Sequence, residues 1–269
     1  WTSDLVISNN IIKDNDKDSN SCGIFVQSVS NYVIKHNLVT GSGGANIVLY
    51  ADTSDMVISN NTVKDSGHDG IYIGESDNVD LWNNTIEDSD DSFSDIYLKE
   101  SSEAIYSINN EFDTIYVDSD SSLIIREYFV LDVNDASGNN MSGIDIKIME
   151  NTTQKYATSY FGGSDSKTDS YGTITTFLIN HKIYDGTSTP TTIPTYVTAR
   201  SYDWVETFTS NPSSPIQIAV PDLRVQNSRT GTLTYHIQTA IDNAIEGDTI
   251  RAWNGTYYEN IEVTEEVTI

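Results

Sequence analysis

The sequence predicts an all-β protein with three parts: a stack of parallel β-coils, an antiparallel β-sandwich and a short capping α-helix near the C-terminus. Three observations lead to this prediction. A short motif repeats through the first 126 residues, short strand-like runs alternate with polar turns in the middle, and a helical pattern lies close to the end. The parts are expected at 1–126, 127–222 and 223–269. A chain of 269 residues is also longer than one ordinary domain requires.

The composition argues against several classes of function. The chain has 14 Lys and Arg residues against 40 Asp and Glu residues, which gives a formal net charge of −26. Such an acidic surface repels phosphate backbones and anionic lipid, so neither nucleic-acid binding nor membrane binding is expected. No apolar run approaches the ~20 residues of a membrane span. The single Cys22 excludes an intramolecular disulfide, and the lysine-poor composition favours an extracellular location.

The repeat in 1–126 combines an asparagine motif with a second short strand. The motif reads LVISNNIIKDN at 5–15, YVIKHNLVTGS at 32–42, MVISNNTVKDS at 56–66, VDLWNNTIEDS at 79–89 and, more weakly, IYSINNEFDT at 105–114. Its shared asparagines are Asn10, Asn37, Asn61, Asn84 and Asn110, at intervals of 27, 24, 23 and 26 residues. Apolar residues in the second runs, such as Ile47 and Leu49, alternate with the period of a β-strand. Because roughly two dozen residues are too few for a βαβ crossover, each unit is predicted to be one coil, paired in parallel with the next.

The repeated asparagine has a physical reason in such a stack. Its amide carries a donor and an acceptor, so stacked copies can hydrogen-bond along the axis. Asparagine also tolerates the left-handed backbone that a sharp corner requires. The apolar-x-x-Asn-x-apolar pattern, as in Ile58, Asn61 and Val63, resembles the right-handed parallel β-helix repeat of the pectin-lyase-like superfamily. This resemblance implies a right-handed solenoid over about 1–126, and it implies little about activity.

The middle segment, 127–222, has short strand-like runs at the spacing of an all-β sandwich. Asp132-Val133-Asn134-Asp135, with Gly138, Gly143 and the run 168–172, resembles the carboxypeptidase regulatory-like (transthyretin-type) module. This resemblance implies a spacer or binding module without catalytic residues.

The last segment changes character. Residues 235–245 place apolar side chains on one helical face, and Gly247 is expected to end the helix. Together with GDTI at 247–250 and GTY at 255–257, the segment is similar to the opening of pectin-lyase-like β-helices. In that family, the helix caps the first coil.

The order of these parts is inverted, because coils without a cap come first and a cap without coils comes last. An open coil end exposes unpaired backbone groups and core side chains. The chain is therefore either a window of a longer surface protein or one repeat of a head-to-tail assembly, in which the cap seats on the first coil of the next copy. Folding of the cap onto its own chain is a further alternative. The residues expected at the contact between copies are Ile237, Ile241 and Ile245 of the cap and Leu5 and Ile7 of the first coil.

These features predict a non-catalytic extracellular structural protein, part of a surface layer, sheath or filament, whose main partner is itself. Acidic turns suggest calcium as the one candidate cofactor, since alternating carboxylates supply the oxygen ligands that Ca²⁺ takes; solvated turns are the alternative. The candidate calcium ligands are Asp14, Asp16, Asp18, Asp88, Asp90 and Asp91. Asp95 extends the second acidic cluster, and Asp118 with Asp120 forms a third.

Two other functions remain as alternatives. A polysaccharide lyase or glycoside hydrolase would need carboxylates or a basic side chain on one face of adjacent coils. Lys13, Lys64, Asp14, Asp65 and Asp88 are the candidates, but Thr40 interrupts their column, so no enzymatic activity is predicted.

The second alternative is a carbohydrate-binding adhesin with cell-surface glycans as partner. An outward column of Phe25, Tyr72, Tyr97 and Tyr116 could stack on sugar rings, or pack under a loop or a neighbouring subunit. Sequons for N-glycosylation occur at Asn60, Asn83, Asn140, Asn151 and Asn254. Asn60 and Asn83 precede ladder asparagines and are expected to face outward.

Overall fold

The computed structural model of the protein describes residues 5–15, 18, 20–87, 92–210, 215–222, 224–253, 256–264 and 266–269. It divides the chain into two compact units. The first comprises residues 1–127 and 180–193, and the second comprises residues 128–179 and 194–269.

The first unit is built on a coil stack, which we define as residues 5–127. Its strands are β1 (Leu5–Ser8), β2 (Ile11–Lys13), β3 (Ile24–Gln27), β4 (Tyr32–Lys35), β5 (Leu38–Thr40), β6 (Ile47–Ser59), β7 (Thr62–Lys64), β8 (Ile71–Trp82), β9 (Thr85–Glu87), β10 (Ile96–Lys99), β11 (Glu103–Ile108), β12 (Ile115–Val117) and β13 (Ser122–Phe129).

Pairing in the stack is parallel and follows the sequence repeat. One row runs β1-β4-β6-β8-β11-β13, a second runs β2-β5-β7-β9, and a third runs through β3, β6, β8, β10 and β12. The register places equivalent motif positions in columns, so that Ile7 pairs with Ile34, Ile34 with Ile58 and Ile58 with Leu81. The predicted coils are confirmed over this region.

The interior of the stack is aliphatic. Ile34, Ile47, Ile58, Leu81 and Ile96 are completely buried. The side chains that alternate with the inward ones in the third row face outward, and Phe25 and Tyr116 at its two ends are exposed. The predicted period of two is therefore confirmed, and it produces this core because alternate side chains of a strand lie on opposite faces.

A hairpin from later in the chain belongs to the same unit. It consists of β17 (Phe177–Asp185) and β18 (Thr191–Thr192), which pair antiparallel, and β17 lies beside β13. Tyr184 packs against the core of the coil stack, and the amide of Gly186 donates to the carbonyl of Ser121. The sequence analysis placed these residues with the rest of 127–222. The structure instead uses them at the last coil.

The second unit contains two sheets around one core. Its elements up to residue 222 are β14 (Leu131–Asp135), β15 (Asp145–Glu150), β16 (Thr153–Ala157), a 3₁₀ turn (Ser159–Phe161), β19 (Thr195–Ser201), β20 (Trp204–Ser210) and β21 (Ile216–Val220). Four strands form an antiparallel sheet in the order β16-β15-β19-β20, whereas β14 and β21 pair in parallel. Phe129, Val133, Ile146, Val197 and Ile218 share the core between them.

The C-terminal segment, residues 224–269, has a small core of its own. It contains β22 (Val225–Asn227), β23 (Leu233–Thr234), α1 (Ile237–Asp242) and β24 (Ile250–Ala252), with the sheet order β23-β22-β24. The helix is shorter than the predicted 235–245. It ends at Asp242 with Asn243 as its C-cap, so the prediction that Gly247 ends the helix is wrong. Beyond this end, the carboxylate of Asp248 accepts the amide hydrogen of Ile245 at 3.1 Å, in place of a helical hydrogen bond.

Candidate assembly surfaces

The predicted asparagine ladder runs through the whole coil stack. Asn10, Asn37, Asn61 and Asn84 each donate through the side-chain amide and the backbone N–H to the Oδ1 of the next ladder asparagine, at 2.8–3.1 Å. The same side-chain amides reach a backbone carbonyl, as when Asn61 donates to Ile34 at 2.9 Å. Ladder members inside the stack are nearly inaccessible to water. The ladder thus satisfies polar groups that would otherwise be buried without partners.

The left-handed corner lies one residue earlier than predicted. Positive φ occurs at Asn9, His36, Asn60, Asn83 and Asn109, each directly before a ladder asparagine. The prediction that the ladder residue itself adopts this backbone is wrong. The residue before each ladder asparagine makes the turn, and the ladder asparagine itself keeps an ordinary negative φ.

A second column of buried polar residues was not predicted as a ladder. Asn46, Asp69 and Asp95 each come just before a strand of the third row and are at most 4% exposed. The Asp95 carboxylate accepts backbone N–H groups of Asp113 and Thr114 at 2.8 and 2.9 Å. Asp95 is therefore a structural side chain and not an exposed member of an acidic cluster. A polar residue recurring just before the second strand is the sequence signal that could have revealed this column.

Only two of the six calcium candidates, Asp14 and Asp18, lie among the described residues. Asp14 and Asp18 are exposed, and no group of three or more His, Cys, Asp or Glu side chains converges anywhere in the described part of the chain. Asp118 accepts the backbone N–H groups of Glu100 and Asp120, as expected for a turn. The candidates Asp16, Asp88, Asp90 and Asp91 lie outside the described residues, so calcium binding stays a prediction.

The catalytic candidates occupy one column, as the register shows. Lys13 pairs with Thr40, Thr40 with Lys64, and Lys64 with Glu87. The hydroxyl of Thr40 donates to Asp65 at 2.9 Å, so the interruption is part of the hydrogen bonding between coils. Asp88 lies outside the described residues.

The outward aromatic column is continuous only from Tyr72 to Tyr116, because Val48 lies between Phe25 and Tyr72. The Tyr72 and Tyr97 rings stack at 5.5 Å between centroids and 10° between planes, and the Tyr97 and Tyr116 rings stack at 4.6 Å and 13°. Burial, with a smaller effect of Glu100, raises the pKa of Tyr72 to about 12. Since both faces of Tyr97 lie against neighbouring rings, little ring face is left for a sugar in the middle of the column.

The described sequon asparagines are accessible. Asn60 and Asn83 are exposed at the left-handed corners, and Asn140 and Asn151 are also exposed. Asn254 lies outside the described residues. Glycosylation of these residues stays a prediction.

The lower edge of the coil stack, meaning the side of β1 and β2 away from the next coil, is apolar and open. Among the described strands, β1 pairs with β4 alone and β2 with β5 alone. Leu5, Val6 and Ile11 are 46%, 45% and 70% exposed, whereas Ile7 packs partly against the core. Asn10 is the first ladder asparagine of the described chain, and its side-chain amide donates to the Oδ1 of Asn37 in the next coil at 3.1 Å.

The helix residues expected at a contact between copies are placed differently. Ile237 and Ile241 are 7% and 2% exposed, because β22 and β24 cover the apolar face of α1. Only Ile245 is substantially exposed, at 56%. Tyr235 lies in the core of the second unit, where the Asp203 carboxylate accepts its backbone N–H at 2.8 Å. The segment is thus anchored within its own unit, and its helix face is already used.

The end of the C-terminal segment makes a short parallel contact with an earlier part of the same segment. Thr249 and Thr268 form an isolated parallel bridge, the amide of Ile250 donates to the carbonyl of Thr268 at 2.7 Å, and the amide of Thr268 donates to the carbonyl of Asp248 at 3.0 Å. Ile261, Val263 and Ile269 are 45–56% exposed. We call the side of Thr268 and Ile269 that faces away from Thr249 the upper edge.

Comparison with known proteins bears on the coil stack. A family model described as "Right handed beta helix region" matches residues 2–112. This region is a right-handed β-helix. The match covers less than half of the chain, and no curated protein and no solved structure matches it. Among the described helices, none has the length and apolar character needed to cross a membrane.

Proposed function

We propose that the protein is a non-catalytic structural subunit or repeat of an extracellular surface layer, sheath or filament, joined head to tail with further copies of itself. The observation that supports this proposal is that one chain has an exposed apolar first coil and, near its other end, a short parallel contact beside exposed apolar residues. The β-helix has an open lower edge at β1 and β2, and the C-terminal segment has an open upper edge at Thr268 and Ile269.

The proposed contact would continue the stacking that is seen within the β-helix. In the β-helix, the upper side of every coil pairs in parallel and in register with the lower side of the next one. An upper edge from one copy can therefore continue the stack of another copy with the same strand direction. Such a contact joins different surfaces of the two copies, so it propagates as a fibre unless the rotation closes a ring.

The chemistry of the edges supports the same contact. Leu5, Val6 and Ile11 on the lower edge and Ile261 and Ile269 near the upper edge are all exposed apolar side chains. Their burial between copies is favourable, and the unpaired strand groups would gain hydrogen-bond partners.

In this proposal, the β-strand module of residues 128–179 and 194–222, which resembles a transthyretin-type sandwich, acts as a spacer between successive rods. The net charge of −26 keeps the assembled surface hydrated and limits unspecific association. Calcium bound in the acidic turns would cross-link neighbouring rods.

The lower edge can be tested by placing charges on it in the full chain. Leu5→Asp and Ile11→Asp change exposed side chains, so the variants are expected to fold, and Val205→Asp is a matched control because Val205 is 50% exposed on β20. Wild type and control should form regular polymers by electron microscopy and sedimentation, and the two edge variants should remain monomeric. A wild type that stays monomeric at every concentration, or edge variants that polymerise like wild type, would refute the proposal.

A further inference from the structure

A cleft in the second unit combines aromatic and polar side chains in a way that the assembly proposal does not use. It has a volume of about 390 Å³ and is lined by residues 256–259, by Trp204 and by Pro221, Asp222 and Arg224. Cavities of a few hundred cubic ångströms are typical of small-molecule sites. Its principal lining residues are Trp204, Tyr257, Tyr258, Asp222, Arg224 and His236.

The walls of the cleft are held in place by hydrogen bonds within the unit. The carboxylate of Glu259 accepts the backbone N–H groups of Ile237 and Gln238, both at 2.9 Å. The hydroxyl of Tyr257 lies within hydrogen-bonding distance of two backbone carbonyl oxygens, that of Trp253 at 2.8 Å and that of Arg224 at 3.0 Å. These contacts fix the segment that carries Tyr258, so the cleft is formed before any ligand arrives.

The aromatic part of the cleft has rings that are free to contact a ligand. Tyr258 is 96% exposed, which is unusual for so large an apolar group. Trp204 and Tyr235 form the floor, with 6.3 Å between their ring centroids. This differs from the tyrosine column of the β-helix, where neighbouring rings cover the faces of Tyr97.

The polar part of the cleft keeps unused hydrogen-bonding capacity. The side chains of Asp222, Arg224 and His236 are 44–48% exposed. Arg224 and Asp222 approach only to 3.9 Å, and His236 contacts Asp203 through Nδ1 at 3.3 Å, which leaves Nε2 for a ligand. A carboxylate such as Asp222, or a guanidinium such as Arg224, can hydrogen-bond two neighbouring hydroxyl groups at once.

We propose that this cleft binds a neutral saccharide. A pyranose ring has an apolar C–H face that fits Tyr258 and a hydroxyl edge that fits Asp222, Arg224 and His236. Anionic sugars are disfavoured because the chain carries a net charge of −26 and the cleft has carboxylates of its own. None of the residues that line the cleft is among the exposed apolar residues assigned to the assembly contact, so saccharide binding can be measured whether or not the chain polymerises.

The test is affinity electrophoresis of the full chain in gels that contain neutral glucans, mannans, galactans or chitin oligosaccharides, followed by calorimetric titration with the best of them. Tyr258→Ala and Arg224→Ala should each weaken binding about tenfold or more, as expected for central contacts of a site. Tyr171→Ala is the matched control, because Tyr171 is 72% exposed elsewhere in the same unit, and it should bind like wild type. Absence of retardation by the whole panel, or binding that survives both cleft substitutions, would overturn the proposal.

Discussion

Replacing Asn61 by alanine tests the asparagine ladder most directly. Asn61 is 1% exposed, and its side chain takes part in four hydrogen bonds: its Oδ1 accepts the backbone and side-chain N–H groups of Asn37, and its side-chain amide donates to Ile34 and Asn84. The distances are 2.9–3.1 Å. At about 1 kcal/mol for each bond, Asn61→Ala should lower the free energy of unfolding by about 4 kcal/mol.

The matched control is the preceding residue. Asn60 is exposed and has a φ of 54°, so Asn60→Gly keeps the left-handed corner and removes no buried hydrogen bond. Urea unfolding followed by circular dichroism measures both variants, and the control should stay within about 1 kcal/mol of wild type. If Asn61→Ala costs no more than Asn60→Gly, the ladder does not hold the coils together in the way argued above.

An aspartate at the same position separates the two sides of the amide. Asn61→Asp keeps the acceptor for Asn37 but turns the donor toward Ile34 and Asn84 into an ionised acceptor. This variant should be strongly destabilised at neutral pH and partly recovered in acid, where a protonated carboxyl can again donate one bond. Unfolding curves at two pH values test this, and equal destabilisation at both would contradict it.

Three further predictions follow from other contacts. Ultraviolet titration should find a tyrosine hydroxyl that ionises near pH 12 and is lost in Tyr72→Phe. Because folding raises the pKa of Tyr72, the stability that depends on its protonated form is complete below about pH 10 and is lost as the pH rises to 12. A series of melting curves at increasing pH checks this. Gly186→Ala should destabilise the protein more than Gly231→Ala in urea unfolding. Both glycines have positive φ, but of the two only Gly186 would bring an added Cβ against backbone, 3.0 Å from the Ser119 carbonyl oxygen. Equal losses of unfolding free energy would contradict a specific role of the hairpin. Asp248→Asn should destabilise the C-terminal segment at neutral pH and less in acid. The hydrogen bond from Arg229 holds the pKa of Asp248 below its usual range, and the stability that the ionised carboxylate provides is lost as the pH falls toward that lowered pKa. Limited proteolysis at both pH values measures the effect.

Much of the β-helix followed from the sequence because its contacts repeat. A residue and its partner in the next coil stand at the same motif position, so the columns of Asn61 and Ile58 could be predicted from 23- to 27-residue intervals alone. The period of two then decided which side chains are inside. The corner residue was assigned one position too late, because Asn60 and Asn61 are the same residue type and only the backbone distinguishes their roles.

The tertiary structure decided what does not repeat. The hairpin at 180–193 covers the last coil through Tyr184, a contact between segments more than fifty residues apart that no periodicity announces. Likewise, the sequence predicted an apolar face on α1 but not its partner, since β22 and β24 bury Ile237 and Ile241 within the same segment. The cleft beside Tyr258 also depends on a contact between unlike segments, since Glu259 accepts the amide hydrogens at the start of α1. Sequence periodicity thus encodes contacts between equivalent positions, whereas contacts between unlike segments depend on how those segments fold together.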